Sequence, residues 1–296
     1  MVFRGIEEIE LIRIIVDSGS DLLPEVAREH NIQVLPLLAN VNGIEYRDGI
    51  DLERDDFYAL LEETGAFPKT SQVSPHTFAE AFKEARDSGD EVIAITLSSA
   101  LSGTYNAGAV AAQQLAEKYP ERKLYAVDTL SASMGQGLLV YLTVQQKRAG
   151  ATIEQARDYA EAQKLHLCHW FTVDDLNHLH RGGRVSATSA VLGTVLNIKP
   201  VLHMDNEGRL IFMEKVRGRR NSIKRMLEKM RETAIEPEKQ IVFMSHGDCL
   251  EDAEYLAGRI REEWGVKDVV INYVGPVIGA HSGPGTLALF FLGTER

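Results

Sequence analysis

Apolar residues fall into short runs along this chain, and in the first half each run leads through small polar residues into a stretch with helical spacing. Residues 13–16, 91–97 and 123–128 read as strands, and 91–97 has the continuous apolar character of a strand buried on both faces. Pro24 opens a helical pattern running toward His30, and further helices are predicted at 55–63, 77–87, 106–118 and 135–149. Residues 33–38 read as a second strand whose Pro36 marks an edge or an end. Asn42-Gly43 marks a hairpin turn, and residues 64–71 read as a loop. Strands alternating with helices imply a parallel or mixed sheet with helices on both faces. Ligands of such sheets sit beyond the carboxyl ends of the strands, where the loops 17–21, 98–105 and 128–133 begin.

A helix at 153–165 bridges to a less regular second half. There the pattern predicts a strand at 168–173, a short helix at 174–180 and an apolar helix at 190–196. A hairpin follows, with arms 200–204 and 209–213 around Asn206-Glu207-Gly208. An amphipathic helix at 219–233, a strand at 240–246, a helix at 250–264 and a strand at 269–274 come next. A glycine-dense loop spans 275–285, and an apolar run at 287–292 closes the chain. Residues 1–12 read as an extension. Domains are expected at 13–160 and 161–296, with segment 64–76 reaching from the first to the second.

Composition narrows the function. A chain of 296 residues fits two domains better than one. A formal net charge of -11 argues against a general nucleic-acid binder. No apolar run is long enough to cross a bilayer, and the acidic start lacks the apolar core of a signal peptide. The two cysteines, Cys168 and Cys249, lie outside any CxxC, so a disulfide framework is not expected and the cytoplasm is the natural compartment. His178 and His180 point apart on a helix, and no HExxH occurs, so no metal site or cofactor is expected.

Four segments carry candidate chemistry. Ser98, Ser99 and Ser102 lie between a buried strand and a helix, whose free N–H groups suit an anion. Taken alone, Ser102 is better read as a helix cap. Lys69-Thr70-Ser71-Gln72 crowds hydroxyls and an amide into a loop, although Ser74-Pro75 reads simply as the start of the next helix. His281 stands in the glycine-dense loop with room to donate to a carboxylate or phosphate, and a lone histidine is more often structural. No GxSxG, phosphate loop or triad accompanies these residues, so no catalytic residue is assigned. Arg181, Arg184, Arg217 and Arg219 form basic clusters in an acidic chain. They read either as a solvated face or as a docking surface for an acidic partner.

In order, Val16-Asp17-Ser18-Gly19-Ser20-Asp21-Leu22, Lys69-Thr70-Ser71-Gln72, the run from Leu97 through Ser102-Gly103-Thr104 to Asn106, and Val127-Asp128-Thr129 resemble the DegV family of bacterial fatty-acid-binding proteins. Arg181-Gly182-Gly183-Arg184, Lys199-Pro200-Val201, Lys215-Val216-Arg217, Gly275-Pro276-Val277 and Gly279-Ala280-His281 continue the match, which runs over about 13–293. Val73 departs from it, standing where the family often has proline.

The resemblance implies a two-domain α/β fold, with a long-chain fatty acid such as palmitate buried between the domains. It implies a non-catalytic subunit of a fatty acid kinase, partnered by a separate ATP-binding subunit related to dihydroxyacetone kinases and yielding an acyl phosphate for phospholipid synthesis. Carried over by position, Thr70 and Ser102 bond the carboxylate with Ser98, Ser99 and His281 nearby, and the arginines around Arg217 face the kinase subunit. The physics agrees. Burial contributes ~0.8 kcal/mol per methylene, so the tail needs little polar help. The carboxylate needs donors, which hydroxyls, a helix N-terminus and a protonated His281 would supply. Two other readings compete: an enzyme acting directly on a small carboxylate or phosphate at the same loops, and a lipid-responsive interaction protein.

Overall fold

The computed structural model describes residues 12–186 and 197–296. The predicted helix at 190–196 lies outside the described residues, as does the predicted extension except for Ile12, which opens the first strand. The first half runs β1 (Ile12–Asp17), α1 (Pro24–Glu29), β2 (Gln33–Leu35), β3 (Leu38–Val41), β4 (Ile44–Arg47), α2 (Arg54–Thr64), β5 (Lys69–Ser71), α3 (Pro75–Asp87), β6 (Glu91–Thr96), α4 (Thr104–Lys118), β7 (Leu124–Asp128), α5 (Met134–Arg148) and α6 (Ile153–Gln163). Strands β2-β1-β6-β7 form a parallel four-stranded sheet. Every residue of β6 is buried, because α3 and α4 cover one face of the sheet and α5 and α6 the other.

Two local expectations are corrected here. The predicted strand at 33–38 is two strands, interrupted at Pro36. Proline supplies no ladder N–H, and after it the chain leaves the parallel sheet to begin β3. The predicted loop at 64–71 contains β5, which pairs with β3 so that Ala39 faces Thr70. With β4 it completes a separate antiparallel sheet, ordered β4-β3-β5. Asn42 and Gly43, both at positive φ, make the tight turn between β3 and β4.

The second half runs β8 (Leu167–Thr172), α7 (Leu176–Arg181), β9 (Ile198–Met204), β10 (Leu210–Arg217), α8 (Arg219–Thr233), β11 (Ile241–His246), α9 (Leu250–Trp264), β12 (Asp268–Tyr273), α10 (Pro276–Ser282) and β13 (Leu287–Leu292). Six strands form one mixed sheet, ordered β10-β9-β8-β13-β11-β12, antiparallel except between β11 and β12. Pro200 is tolerated in β9 because pairing with β8 stops at Val201. The predicted glycine-dense loop at 275–285 is corrected as well. Pro276 at the first turn starts α10, and Gly279 lets that helix press against Phe57 and Tyr58.

The two larger sheets meet through buried acids. Asp17, closing β1, accepts the N–H groups of Gly19 at 3.0 Å and Leu97 at 2.8 Å. The Asp21 carboxylate accepts the N–H of Gly275 at 2.8 Å and the Ser133 hydroxyl at 2.5 Å, while its carbonyl accepts from Asn272 at 2.7 Å. Asp48 accepts the Ser18 hydroxyl at 2.9 Å. Burial pushes the carboxyls of Asp17 and Asp21 up to about 6 and that of Asp48 up to about 7, with Arg54 holding Asp21 and Asp48 back.

Since these folded-state values lie above those of the unfolded chain, the acids favour the fold when protonated, and that stability is lost as pH rises through 6 to 7. Thermal unfolding followed by calorimetry should therefore show a midpoint several degrees lower at ~pH 8 than at ~pH 5. Asp48→Asn should flatten that dependence, and an unchanged slope in the variant would contradict the assignment.

Candidate functional site

A cavity of about 200 Å³ lies between the loops that follow β6 and β7 and one face of the six-stranded sheet. Its far wall follows from strand register. Side chains alternate across a strand, so the residues of β8, β13 and β11 that line the cavity all come from one face of the sheet. His169 stands beside Phe290, and one row further along Phe171 stands beside Ala288, which stands beside Ser245. Rows two residues apart are separated by about 6.7 Å. Met204 of β9 and Leu210 of β10 extend this wall, while Leu97, Leu101 and Val277 close the opposite side.

Beyond the end of β8 the lining becomes polar. Thr70 on β5 and His281 on α10 meet there, with Thr70 Oγ1 2.8 Å from His281 Nε2. Ser102 lies across from them; its hydroxyl shares a hydrogen bond with Thr104 Oγ1 at 2.9 Å and accepts the Thr104 N–H at 3.3 Å. The residue that caps α4 is Gly103 rather than Ser102, and Gly103 provides no side-chain cap. The N-terminal end of α4, where helix N–H groups lack intrahelical partners, borders the polar end through Gly103, although Ser102 takes the Thr104 N–H. Ser71, Gln72 and Gly103 are exposed at this end, whereas Phe171, Ala288 and Phe290 are buried. The cavity is thus a channel with a polar mouth and an apolar interior.

Burial, reinforced by the nearby Arg184 guanidinium, pushes His281 down to about 4. The expectation of a protonated His281 is corrected accordingly: the ring is neutral. Its Nδ1 is buried without a hydrogen-bond partner among the described residues. A buried orphan N–H costs more than an orphan lone pair, so the proton belongs on Nε2. His281 then donates to Thr70, and the Thr70 hydroxyl keeps its own proton for a ligand. Ser282, next along α10, also lines the cavity with a buried hydroxyl that has no hydrogen-bond partner among the described residues.

The other sequence-predicted residues have different surroundings. Ser98 is buried outside the cavity lining and donates to the Gly208 carbonyl at 2.9 Å, tying the β9–β10 turn to the loop after β6. Ser99 is exposed, and its N–H binds Asp128 at 3.1 Å. Arg184 is half-buried in the cavity wall, where Nε and Nη2 donate to the Leu101 carbonyl at 3.1 and 3.0 Å. Arg181 is exposed and lies 3.8 Å above the centre of the Phe67 ring. Arg217 is exposed at the end of β10, and Arg219 is half-buried against Asp252 at 2.8 Å. Ser282 and the cavity-facing row on β8 and β13 were not singled out from the sequence. The alternation of β8 carries the signal for the row, but period-two spacing does not say which face borders a cavity.

No group of three potential metal-binding side chains occurs among the described residues, and none of their helices is long and apolar enough to cross a membrane.

A family model described as "Uncharacterised protein, DegV family" matches residues 11–294. A DegV domain-containing protein of Clostridium perfringens is 45% identical over 285 residues, covering 96% of this chain and 98% of that protein. The fold is similar to that of a fatty-acid-binding DegV family protein from Thermus thermophilus, with a TM-score of 0.87, 31% identity and coverage of 96% and 99% of the two chains. It is also similar to a stearic acid-binding protein from Eubacterium ventriosum, with a TM-score of 0.86, 26% identity and coverage of 95% and 97%.

The protonation state has a direct readout. Proton–nitrogen NMR across a pH series should show the His281 ring neutral from ~pH 5 upward, with its proton on Nε2. A titration midpoint near 6.5, the ordinary value for an imidazole, would contradict the buried, Arg184-facing environment.

Proposed function

This chain belongs to the DegV family, and from that premise we propose that it encloses one long-chain fatty acid, such as palmitate, and presents the carboxylate to a separate ATP-dependent kinase subunit. The observation that carries this reading is the form of the cavity: an apolar channel whose mouth gathers Thr70, Ser102, His281 and the N-terminus of α4. The tail lies along the rows of β8 and β13, and the carboxylate lies at the hydroxyls. Burying a long acyl chain contributes roughly 10 kcal/mol before the cost of association, at ~0.8 kcal/mol per methylene. The polar groups then have only to keep the carboxylate from being buried unpaired.

Neutral donors suit a carboxylate that must react. Arg184 stands close by, yet its guanidinium is committed to the carbonyls of Leu101 and Gly182 and does not clamp an anion at Thr70. A carboxylate oxygen held by hydroxyls remains able to attack the γ-phosphorus of ATP on the partner. The new carboxyl-oxygen–phosphorus bond forms as the bond to the β-phosphate oxygen breaks, and ADP departs. The partner is a kinase subunit of the dihydroxyacetone-kinase type, acting in the cytoplasm, for which the exposed Arg181 and Arg217 offer positive charge, while Arg219 is paired with Asp252. The chain supplies no catalytic residue of its own.

Native mass spectrometry of the purified protein, followed by denaturing extraction, should find one long-chain fatty acid per chain. A protein that stays empty after incubation with a fatty acid panel would overturn the reading. Thr70→Ala and Ser102→Ala should each weaken fatty acid binding about tenfold, the equivalent of ~1.4 kcal/mol for a hydrogen bond to a charged group. Phosphoryl transfer from ATP should require the added kinase subunit. Turnover by this chain alone would identify an enzyme acting at the same loops.

A further inference from the structure

Following the channel inward along β8 leads from Phe171 to His169, the innermost row of the wall. His169 differs from the rest of that interior: it is an imidazole, fully enclosed and fixed on both nitrogens. Its Nδ1 donates to the Leu167 carbonyl at 2.8 Å, so its Nε2 accepts the Ser131 hydroxyl at 2.5 Å. The ring stands edge-to-face against Phe290, with centroids 5.3 Å apart and planes at 86°. Opposite them Gly135, in the first turn of α5, approaches so closely that a Cβ there would overlap His169 Nε2 and lie 2.8 Å from Phe290 Cδ1. Beyond this point Leu138, Leu139 and Leu167 fill the core without exposure. Among the described residues the innermost row of the lining is Phe290, His169 and, by the β8–β9 register, Met204 with Leu210 beside it, and Gly135 packs behind the His169 and Phe290 rings. Within that row Met204 can yield by rotating, whereas the His169 ring, held at both nitrogens, does not.

We infer that His169 is the floor of the channel and sets the length of acyl chain the protein accepts, with Phe290 and Gly135 fixing its position. The inference rests on the fatty-acid reading above. A chain too long for the channel must leave methylenes outside or displace a ring that cannot move without breaking two buried hydrogen bonds. A chain too short leaves apolar wall without contacts. Each methylene gained or lost from burial changes affinity roughly fourfold, so a floor moved by two methylenes changes discrimination between acids two carbons apart on the order of tenfold.

The test is competition. Wild-type protein, stripped of lipid, is offered an equimolar mixture of saturated even-chain acids from lauric to arachidic, and the bound fraction is read by mass spectrometry. The Ser131→Ala/His169→Ala variant removes the ring together with the hydroxyl it would orphan. Its preference should move on the order of tenfold toward the acid two carbons longer. Ala288→Leu fills the channel one row nearer the mouth and should move the preference the other way. It also carries the test if the double variant does not fold. A wild-type protein that binds acids, with the same length profile in every folded variant, would overturn the floor. A wild-type protein that binds none of them would overturn the fatty-acid reading and this inference with it.

Discussion

The Asp21 carboxylate is the constraint around which the two larger sheets are arranged. It sits at the turn after β1 in a left-handed conformation, and it accepts one N–H from the start of α10 and one hydroxyl from the start of α5. Those two helices carry opposite sides of the channel: α10 brings His281 and Ser282 to its mouth, and α5 brings Gly135 against its floor. A carboxylate in this position is costly unless every oxygen is satisfied. That requirement ties residues far apart in sequence to a single spacing.

The chemistry at the mouth follows the same logic in the opposite sense. The fold spends its charged partners on itself: Arg54 on Asn272, Arg184 on Leu101, Arg219 on Asp252. Hydroxyls, a neutral imidazole and helix N–H groups remain for a ligand. Such donors stabilise an anion by orientation rather than by neutralising it. A site of this kind can hold an anion without neutralising its charge.

Much of this was legible in the amino-acid sequence, for local reasons. Buried strands such as β6 announce themselves by unbroken apolar character, and the loops after them fall where parallel sheets place ligands. Thr70, Ser102 and His281 were named from the family resemblance, and all three line one cavity. What escaped depends on distant partners. Three residues at 69–71 become a strand only because β3 offers an edge. Ser98 looked like a ligand donor, but a turn more than a hundred residues away claims its hydroxyl. Arg184, grouped with Arg181 as surface charge, folds back into the wall because the carbonyl it needs comes from Leu101. His281 looked ready for a proton until its burial beside Arg184 was visible.

The pleat of β8, β11 and β13 assigns its two faces to different tasks. His169, Phe171, Ala288, Phe290 and Ser245 line the channel, while Cys168, Trp170, Leu287, Leu289, Phe291 and Met244 belong to the core shared with α8 and α9. Adjacent letters of the sequence thus answer to different selective demands. One set shapes the channel, and the set interleaved with it packs the core. The channel can therefore be reshaped by changing alternate positions of three strands, leaving the remainder of the sheet untouched.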